Sequence, residues 1–357
     1  MKIVIRVDAS IHIGSGHVMR CLVLADAFKQ QGHTVQFVMR PQQGDMFDFV
    51  ERRGFKTLSL PMVPSIEPSH SADYQAWLQV SVNEDAQGFI SLVSSSDIVL
   101  IDHYGVTVEW EKRIAAGLNC KLIVIDDLVR PHCADVIIDQ TLGRQADEYR
   151  DSRAVTVLTG VKYALLNKRF SALHHQQNLV TQEIVNHKLL ITMGGIDKPN
   201  ATLKVLKALK GNLPDAMSVT VLLSPKAFNY AEVSAYCDEE NSWINHIDFV
   251  DDMAAAMQQH TLAIGAPGST SWERACLGLP SIVIPLADNQ KHICQSLVKY
   301  KLSLSVKLEE IDTLLLPIFK QLTDEYTAMR KRNLAVCDGK GVERVMVNVM
   351  QLLRSTI

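Results

Sequence analysis

The chain has 357 residues, of which 47% are hydrophobic and 21% charged, with a formal net charge of −3. This length exceeds what one hydrophobic core usually reaches, so two domains are expected. The ordinary composition, free of membrane-length apolar runs, predicts no membrane insertion, and the dispersed basic residues on a slightly acidic chain argue against nucleic acid as a partner.

The first apolar run, Lys2 to Val7, carries Lys2 and Arg6 and is followed by Asp8. It reads as a strand and not as a signal peptide, so a cytoplasmic location is expected. A glycine turn follows, with Gly14, Gly16 and then His17 at the start of a helix expected over His17 to Gln31. A turn joining a strand to a helix lies at the carboxyl edge of a parallel sheet, where open α/β domains bind ligands, and it puts a titratable imidazole there. A dinucleotide-binding turn does not fit. Its third glycine position holds Met19, and the second strand, Thr34 to Met39, ends on Arg40 with no carboxylate for a ribose. No Gly-Lys-Ser/Thr completes a Walker A loop either.

The pattern continues with a helix near Phe47 to Arg53, a strand over Lys56 to Leu60, a loop with Pro61, Pro64 and Pro68, and a helix around Tyr74 to Ser94. Strands follow at Ile98 to Ile101, Leu122 to Ile125 and Val136 to Ile138. Apolar strands separated by helix-length segments indicate a parallel sheet covered on both faces. Asp102, His103 and Tyr104 end one of these strands as a polar group where turn residues are usual. Asp126 and Asp127 end the next and read as backbone caps and site lining, since no second acidic cluster with ligand spacing accompanies them. The expected first domain spans residues 1–165.

After a polar stretch around His174 to Glu183 the alternation restarts, defining a domain over 166–340. Its strands are Lys188 to Thr192, Ser218 to Leu223, Ile247 to Phe249, Leu262 to Ile264 and Ser281 to Ile284; its helices are Asn200 to Lys210, Met253 to His260 and Ser269 to Leu277. Gly194 and Gly195, with Asp197 beyond, form a turn suited to backbone contact with a phosphate. Gly268, Ser269 and Thr270 open a helix whose backbone N–H groups and dipole suit a diphosphate, with Glu273 one turn in, where it can accept from both ribose hydroxyls. The competing interpretation is a capping box of Thr270 with Glu273. Asn289 and Gln290 reach the same sheet edge and can fix sugar hydroxyls or a water. Helical segments at Leu314 to Arg332 and Gly341 to Leu353 close the chain, and the 341–357 segment is expected to pack back on the first domain.

Seven cysteines without a C-x-x-C pair give neither a disulfide framework nor a zinc module, and most are expected to be small buried apolar residues. His12, His132, His174, His175 and His292 lack partner spacing and read as surface or loop histidines. No G-x-S-x-G elbow supports a serine hydrolase.

Together these features resemble the two-Rossmann (GT-B) nucleotide-sugar enzymes, whose two doubly wound α/β domains face across a cleft. Within them, Arg6-x-Asp8-x-Ser10-x-x-Ile13-Gly14-x-Gly16-His17-x-x-Arg20, Ile101 to Gly105, Tyr163-Ala164-Leu165-Leu166, Met193-Gly194-Gly195-x-Asp197 and Asn289-Gln290 are similar to the UDP-sugar hydrolases of the pseudaminic acid pathway. The resemblance implies hydrolysis of UDP-2,4-diacetamido-2,4,6-trideoxy-β-L-altropyranose to UDP and the free sugar, a step toward surface glycans such as glycosylated flagellin. It implies His17 as the base that activates water, Tyr104 and Asn289 lining the sugar site, and Glu273 on the ribose. Asp8 either orients His17 or holds a sugar amide. Where the family has an arginine after Tyr-Ala-Leu-Leu this chain has Asn167, so a phosphate contact there passes to Asn167 or to Arg169. The partners are a UDP-sugar and UDP; no cofactor and no metal are required, and a monomer or weak homo-oligomer is expected. A glycosyltransferase of the same fold and a non-catalytic UDP-sugar-binding module are the alternatives.

Overall fold

The computed structural model describes residues 1–70, 72–177, 186–214 and 216–354; part of the polar stretch that begins near His174 lies outside them. The chain divides into two compact units, Met1–Leu165 joined by the closing segment from Lys340, and Leu166–Gly339.

The first unit is built on seven strands: β1 (Lys2–Val7), β2 (Thr34–Met39), β3 (Lys56–Ser59), β4 (Ile98–Asp102), β5 (Lys121–Ile125), β6 (Cys133–Asp139) and β7 (Arg153–Thr159). Their order is β3-β2-β1-β4-β5-β6-β7, and every pair is parallel. Side chains alternate between the two faces of a strand. Ile3, Ile5 and Val7 of β1, with Ile98 and Leu100 of β4, pack under the helix Gly16–Gln30; Val4, Val99 and Ile101 pack on the other face, with Phe89 and Trp110. The closing helix Gly341–Arg354 completes the first of these layers through Val345, Met346 and Val349. It approaches so closely that a Cβ on Gly341 would collide with the backbone of Ala164.

The single helix expected over Tyr74 to Ser94 is two, Tyr74–Trp77 and Val82–Leu92. Gln79 takes a left-handed φ of 62°, and Ser81 starts the second helix with a capping box in which it accepts from Glu84 N while Glu84 accepts from Ser81 N. The Gln79 side chain then bonds both backbone groups of Ile66, at 2.6 and 2.9 Å, and so ties down the proline-rich loop. β7 and the helix Val108–Leu118 are additions to the expected set.

On the face opposite the helix Gly16–Gln30, the apolar layer carries an embedded ionic network. Arg6, fully buried, gives Nε and Nη2 to Asp85 at 3.1 and 2.8 Å and Nη1 to Asp8 at 2.6 Å. Asp85 also accepts from Arg40 Nη2 at 2.9 Å and from Trp110 Nε1 at 3.0 Å. Buried ionic groups persist when their remaining lone pairs and protons are matched, as they are at Asp85.

The second unit has β8 (Lys188–Thr192), β9 (Ser218–Leu222), β10 (Ile244–Ile247), β11 (Leu262–Gly265), β12 (Ser281–Val283) and β13 (Ser303–Ser305), ordered β10-β9-β8-β11-β12-β13 and parallel throughout. β10 precedes the expected Ile247 to Phe249, because Phe249 is exposed and the buried residue is Ile244. The helices Tyr230–Glu239 and Lys291–Lys299 and the strand β13 are additions, and the long closing helix is two, Ile311–Asp324 and Tyr326–Val336. Among the described residues no helix is long and apolar enough to cross a membrane.

Candidate active site

Strand parity decides which polar residues meet. Continuing the alternation past the apolar residues, Asp102 follows Ile98 and Leu100, and Asp127 follows Ile123 and Ile125, so both fall on the face covered by the helix Gly16–Gln30. Asp8 follows Val4 and Arg6, and Asp126 follows Leu122 and Val124, so both fall on the other face.

The helix Gly16–Gln30 carries His17 and Arg20 on its buried side, one turn apart. His17 Nδ1 lies 2.6 Å from Asp102 Oδ1. A carboxylate there is an acceptor, so Nδ1 carries a proton, and Nε2 is the ring nitrogen that Asp102 does not engage. Arg20 grips the same carboxylate bidentately, Nε at 2.5 Å and Nη2 at 2.7 Å, and sends Nη1 to Asp127 Oδ2 at 2.5 Å. Burial alone would push the Asp102 carboxyl up; Arg20 and then His17 outweigh it and hold the group well below the usual carboxylate range.

Asp127 Oδ2 also accepts from the Tyr104 hydroxyl at 2.9 Å. The Tyr104 ring meets His17 edge-on, with centroids 4.7 Å apart, and stacks on Trp77 at 5.6 Å. Burial, and next the Asp127 charge, raise the Tyr104 phenol well above its ordinary value, so it stays a neutral donor. The glycines of the turn leave the approach open: nothing lies within 4 Å of where a Cβ would stand on Gly14 or Gly16, and Gly14 has a φ of 78°.

Asp8 does neither of the things expected of it. It is fully buried, accepts from Arg6 and from Arg40 N at 2.7 Å, and has Oδ2 3.2 Å from His103 Nε2. Asp102 is the carboxylate that orients His17. His103 accepts from Gly105 N through Nδ1, so its proton sits on Nε2 toward Asp8, and burial lowers its pKa below the ordinary imidazole value. His132 is likewise no surface histidine: it is buried, with Nδ1 2.7 Å from Glu111 Oε1. Asp126 does cap the backbone as expected, accepting from Arg130 N at 2.9 Å.

In the second unit, Gly265 ends β11 and Ser269 stands at the start of the helix Thr270–Cys276, without a side-chain cap. The Thr270 to Glu273 capping box is therefore not formed. Glu273 is half-buried, and desolvation pushes its carboxyl up to about 7, with Arg274 opposing. Gly268 and Gly194 are open, with nothing within 4 Å of the position a Cβ would take, and Gly194 has a φ of 87°. Asp197 is buried and caps the helix Ala201–Leu209, accepting from Ala201 N and Thr202 N at 2.8 and 2.9 Å. Gly195 is half-exposed beside it. Asn167 is exposed and accepts from Arg169 N at the head of the helix Lys168–Gln177, while Arg169 pairs with Asp252 at 3.0 Å. Gln290 Oε1 accepts from Leu286 N at 2.7 Å and shapes the turn in which Asn289 sits half-buried.

The residues that sequence reasoning did not assign are Arg20, Trp77 and the pairing role of Asp127. Among the described residues no group of three or more His, Cys, Asp or Glu side chains is placed to hold a metal ion.

Comparison with known proteins bears on this arrangement. The glycosyltransferase family 28 C-terminal domain matches residues 171–340. The chain is 26% identical over 308 residues to the uncharacterized protein MJ1062 of Methanocaldococcus jannaschii, covering 84% of this chain and 58% of that protein, so it spans little more than half the length of that relative. It is 25% identical over 303 residues to the UDP-2,4-diacetamido-2,4,6-trideoxy-beta-L-altropyranose hydrolase of Campylobacter jejuni, covering 84% of this chain and 97% of that one. The crystal structure of Acinetobacter baumannii MurG superposes with a TM-score of 0.64 at 15% identity, over 98% of this chain and 99% of that chain. The chain thus has the GT-B fold, two parallel-sheet α/β domains, and its second domain matches that of glycosyltransferase family 28.

Proposed function

We propose that the protein hydrolyses a UDP-sugar, and specifically UDP-2,4-diacetamido-2,4,6-trideoxy-β-L-altropyranose, by attack of water at the anomeric carbon. The observation that carries this reading is the His17–Asp102 pair, which leaves Nε2 of a buried, oriented imidazole as a base. The similarity to the C. jejuni hydrolase along most of both chains supports the choice of substrate. Nε2 takes a proton from water as its oxygen bonds to C1; the C1–O bond breaks, and UDP departs with the electron pair. A positioned base of this kind contributes roughly 10²–10⁴-fold. The second unit supplies the nucleotide contacts, with Glu273 accepting from the ribose and the open turns at Gly194 and Gly268 meeting the diphosphate. By this reading the reaction is a step in making a surface polysaccharide or glycan.

A glycosyltransferase is the second reading, favoured by the family 28 match. Incubation with the UDP-sugar in ¹⁸O-water without acceptor separates the two. Label in the sugar and none in UDP is the expected result; turnover only after an acceptor is added would replace hydrolase by transferase, and label in UDP would put the attack at phosphorus.

Glu273 carries a pH prediction. Its carboxyl, raised to about 7 in the free protein, is largely neutral below that pH, whereas donation from ribose hydroxyls favours the ionised form. UDP affinity is therefore expected to strengthen as pH rises from 6 to 8, by up to about tenfold for the one proton released. In E273Q that increment disappears relative to wild type in matched calorimetric titrations, which cancels the ionisation of the UDP phosphate itself. Equal slopes in the two proteins would remove Glu273 from the ribose.

A further inference from the structure

We infer that Arg20 is a positioning residue that keeps the base in its working form by serving two carboxylates at once. This inference rests on the assignment of His17 as the base. Side chains form a closed ring: His17 to Asp102, Asp102 to Arg20, Arg20 to Asp127, Asp127 to the Tyr104 hydroxyl, and the Tyr104 ring back against the imidazole. Arg20 is the fixed cation of this ring and is 6% exposed. Its fork spans both carboxylates, a geometry that a point-charge ammonium cannot reproduce.

The titratable groups around His17 and its partners come from several elements. Arg20 and the Cys21 thiol belong to its own helix, and Asp102 and Tyr104 come from the end of β4. Asp127 lies beyond β5, with Asp139 at the end of β6 interacting with it. Arg130 lies over the Tyr104 ring at 5.4 Å, and Trp77, which is uncharged, meets the imidazole edge-on with centroids 5.9 Å apart. With Arg20 in place, one guanidinium offsets the two carboxylates of the ring. Without it, Asp102 against the imidazole and Asp127 beside the Tyr104 hydroxyl lose the cation they share, and the nearest group able to neutralise Asp102 is His17 itself. An imidazole that has taken that proton cannot accept another from water. Arg20 therefore holds Asp102 strong enough as an acceptor to orient His17 and neutralised enough to leave Nε2 unprotonated. Through Asp127 it also fixes the Tyr104 ring against the base.

The test is R20Q and R20K, each checked for folding by circular dichroism, with ¹⁵N spectra of the His17 imidazole at pH 7 recorded without substrate. Wild type is expected to show a proton on Nδ1 alone, and R20Q protons on both nitrogens. With the UDP-sugar, R20Q is expected to lose about 100-fold in kcat, with the acidic limb of its kcat/KM profile moved to higher pH and UDP affinity unchanged. R20K, which supplies a cation that cannot reach both carboxylates, is expected to regain the single protonated nitrogen and to remain about tenfold low in kcat. A folded R20Q with the wild-type imidazole spectrum overturns the inference. If R20Q does not fold, R20K decides, and wild-type kcat there overturns it equally. Because the spectra need no turnover, failure of wild type to hydrolyse the UDP-sugar would count against the proposed reaction and leave the role of Arg20 to be read separately.

Discussion

His17→Ala is expected to lower kcat for the UDP-sugar by about 10³-fold while leaving UDP affinity within about twofold of wild type. The asymmetry follows from where the residues lie: the imidazole belongs to the first unit, and the proposed nucleotide contacts belong to the second. Removing a base that acts only as charge develops takes free energy from the transition state and little from the ground state, so kcat and kcat/KM fall together. Asp102→Asn should follow it part of the way. The asparagine can present its amide N–H to Nδ1, which then turns acceptor and moves the proton to Nε2, where it blocks the reaction with the geometry otherwise kept. Steady-state kinetics paired with UDP titration reads both changes at once. A His17→Ala enzyme with near wild-type kcat would require another base.

The second large effect is on stability. Asp85→Ala is expected to destabilise the protein by about 3–5 kcal/mol, because it strips Arg6 and Arg40 of a shared buried carboxylate and leaves Trp110 Nε1 unmatched. Asp85→Asn should recover part of this by keeping an acceptor for the indole. Urea denaturation of the three proteins checks it, and an Asp85→Ala unfolding free energy within about 1 kcal/mol of wild type would mean that Asp8 alone satisfies Arg6. The same network sets the response to acid. Burial would raise the Asp85 and Asp8 carboxyls, but Arg6 above all holds both below their ordinary values. A depressed carboxyl contributes stability above its unfolded pKa, near 4, and that contribution is lost as pH falls through the lower folded value. Unfolding below pH 4 is expected to be shallower in Asp85→Asn, which has one such proton fewer to take up.

Burial governs how much of the fold is legible in the amino-acid sequence. β1, β2, β4, β5, β8 and β11 are buried on both faces and read as apolar runs, so their expected and observed limits agree within a residue or two. β7, Arg153–Thr159, lies at the sheet edge and mixes Thr and Arg into the run, and β13 is three residues long; neither has enough apolar signal to stand out. The break between Tyr74–Trp77 and Val82–Leu92 has a local signature in Ser81-x-x-Glu84, which the helical periodicity on either side masks. At the site, His17 and the polar group at Asp102 to Tyr104 are recognisable as strand-end chemistry. Their pairing is not, because it joins residues 85 apart and depends on β1 and β4 being neighbours. Asp8 looks the better partner by proximity along the chain. Counting faces from Ile98 and Leu100 favours Asp102, and counting from Val4 and Arg6 rules out Asp8.

The helix Gly341–Arg354 belongs to the first unit although the chain reaches it only after the second. During synthesis, then, the first sheet emerges long before Val345, Met346 and Val349 exist to cover it. The part of its apolar layer that the helix Gly16–Gln30 does not cover stays open to solvent and to chaperones while the ribosome makes the whole of the second unit, which has every strand of its own sheet and can close first. The order of folding is therefore expected to run against the order of translation. A ribosome stalled on a chain that ends at Gly339 followed by a linker long enough to carry that residue clear of the exit tunnel should hold a protease-resistant second unit and a labile first one.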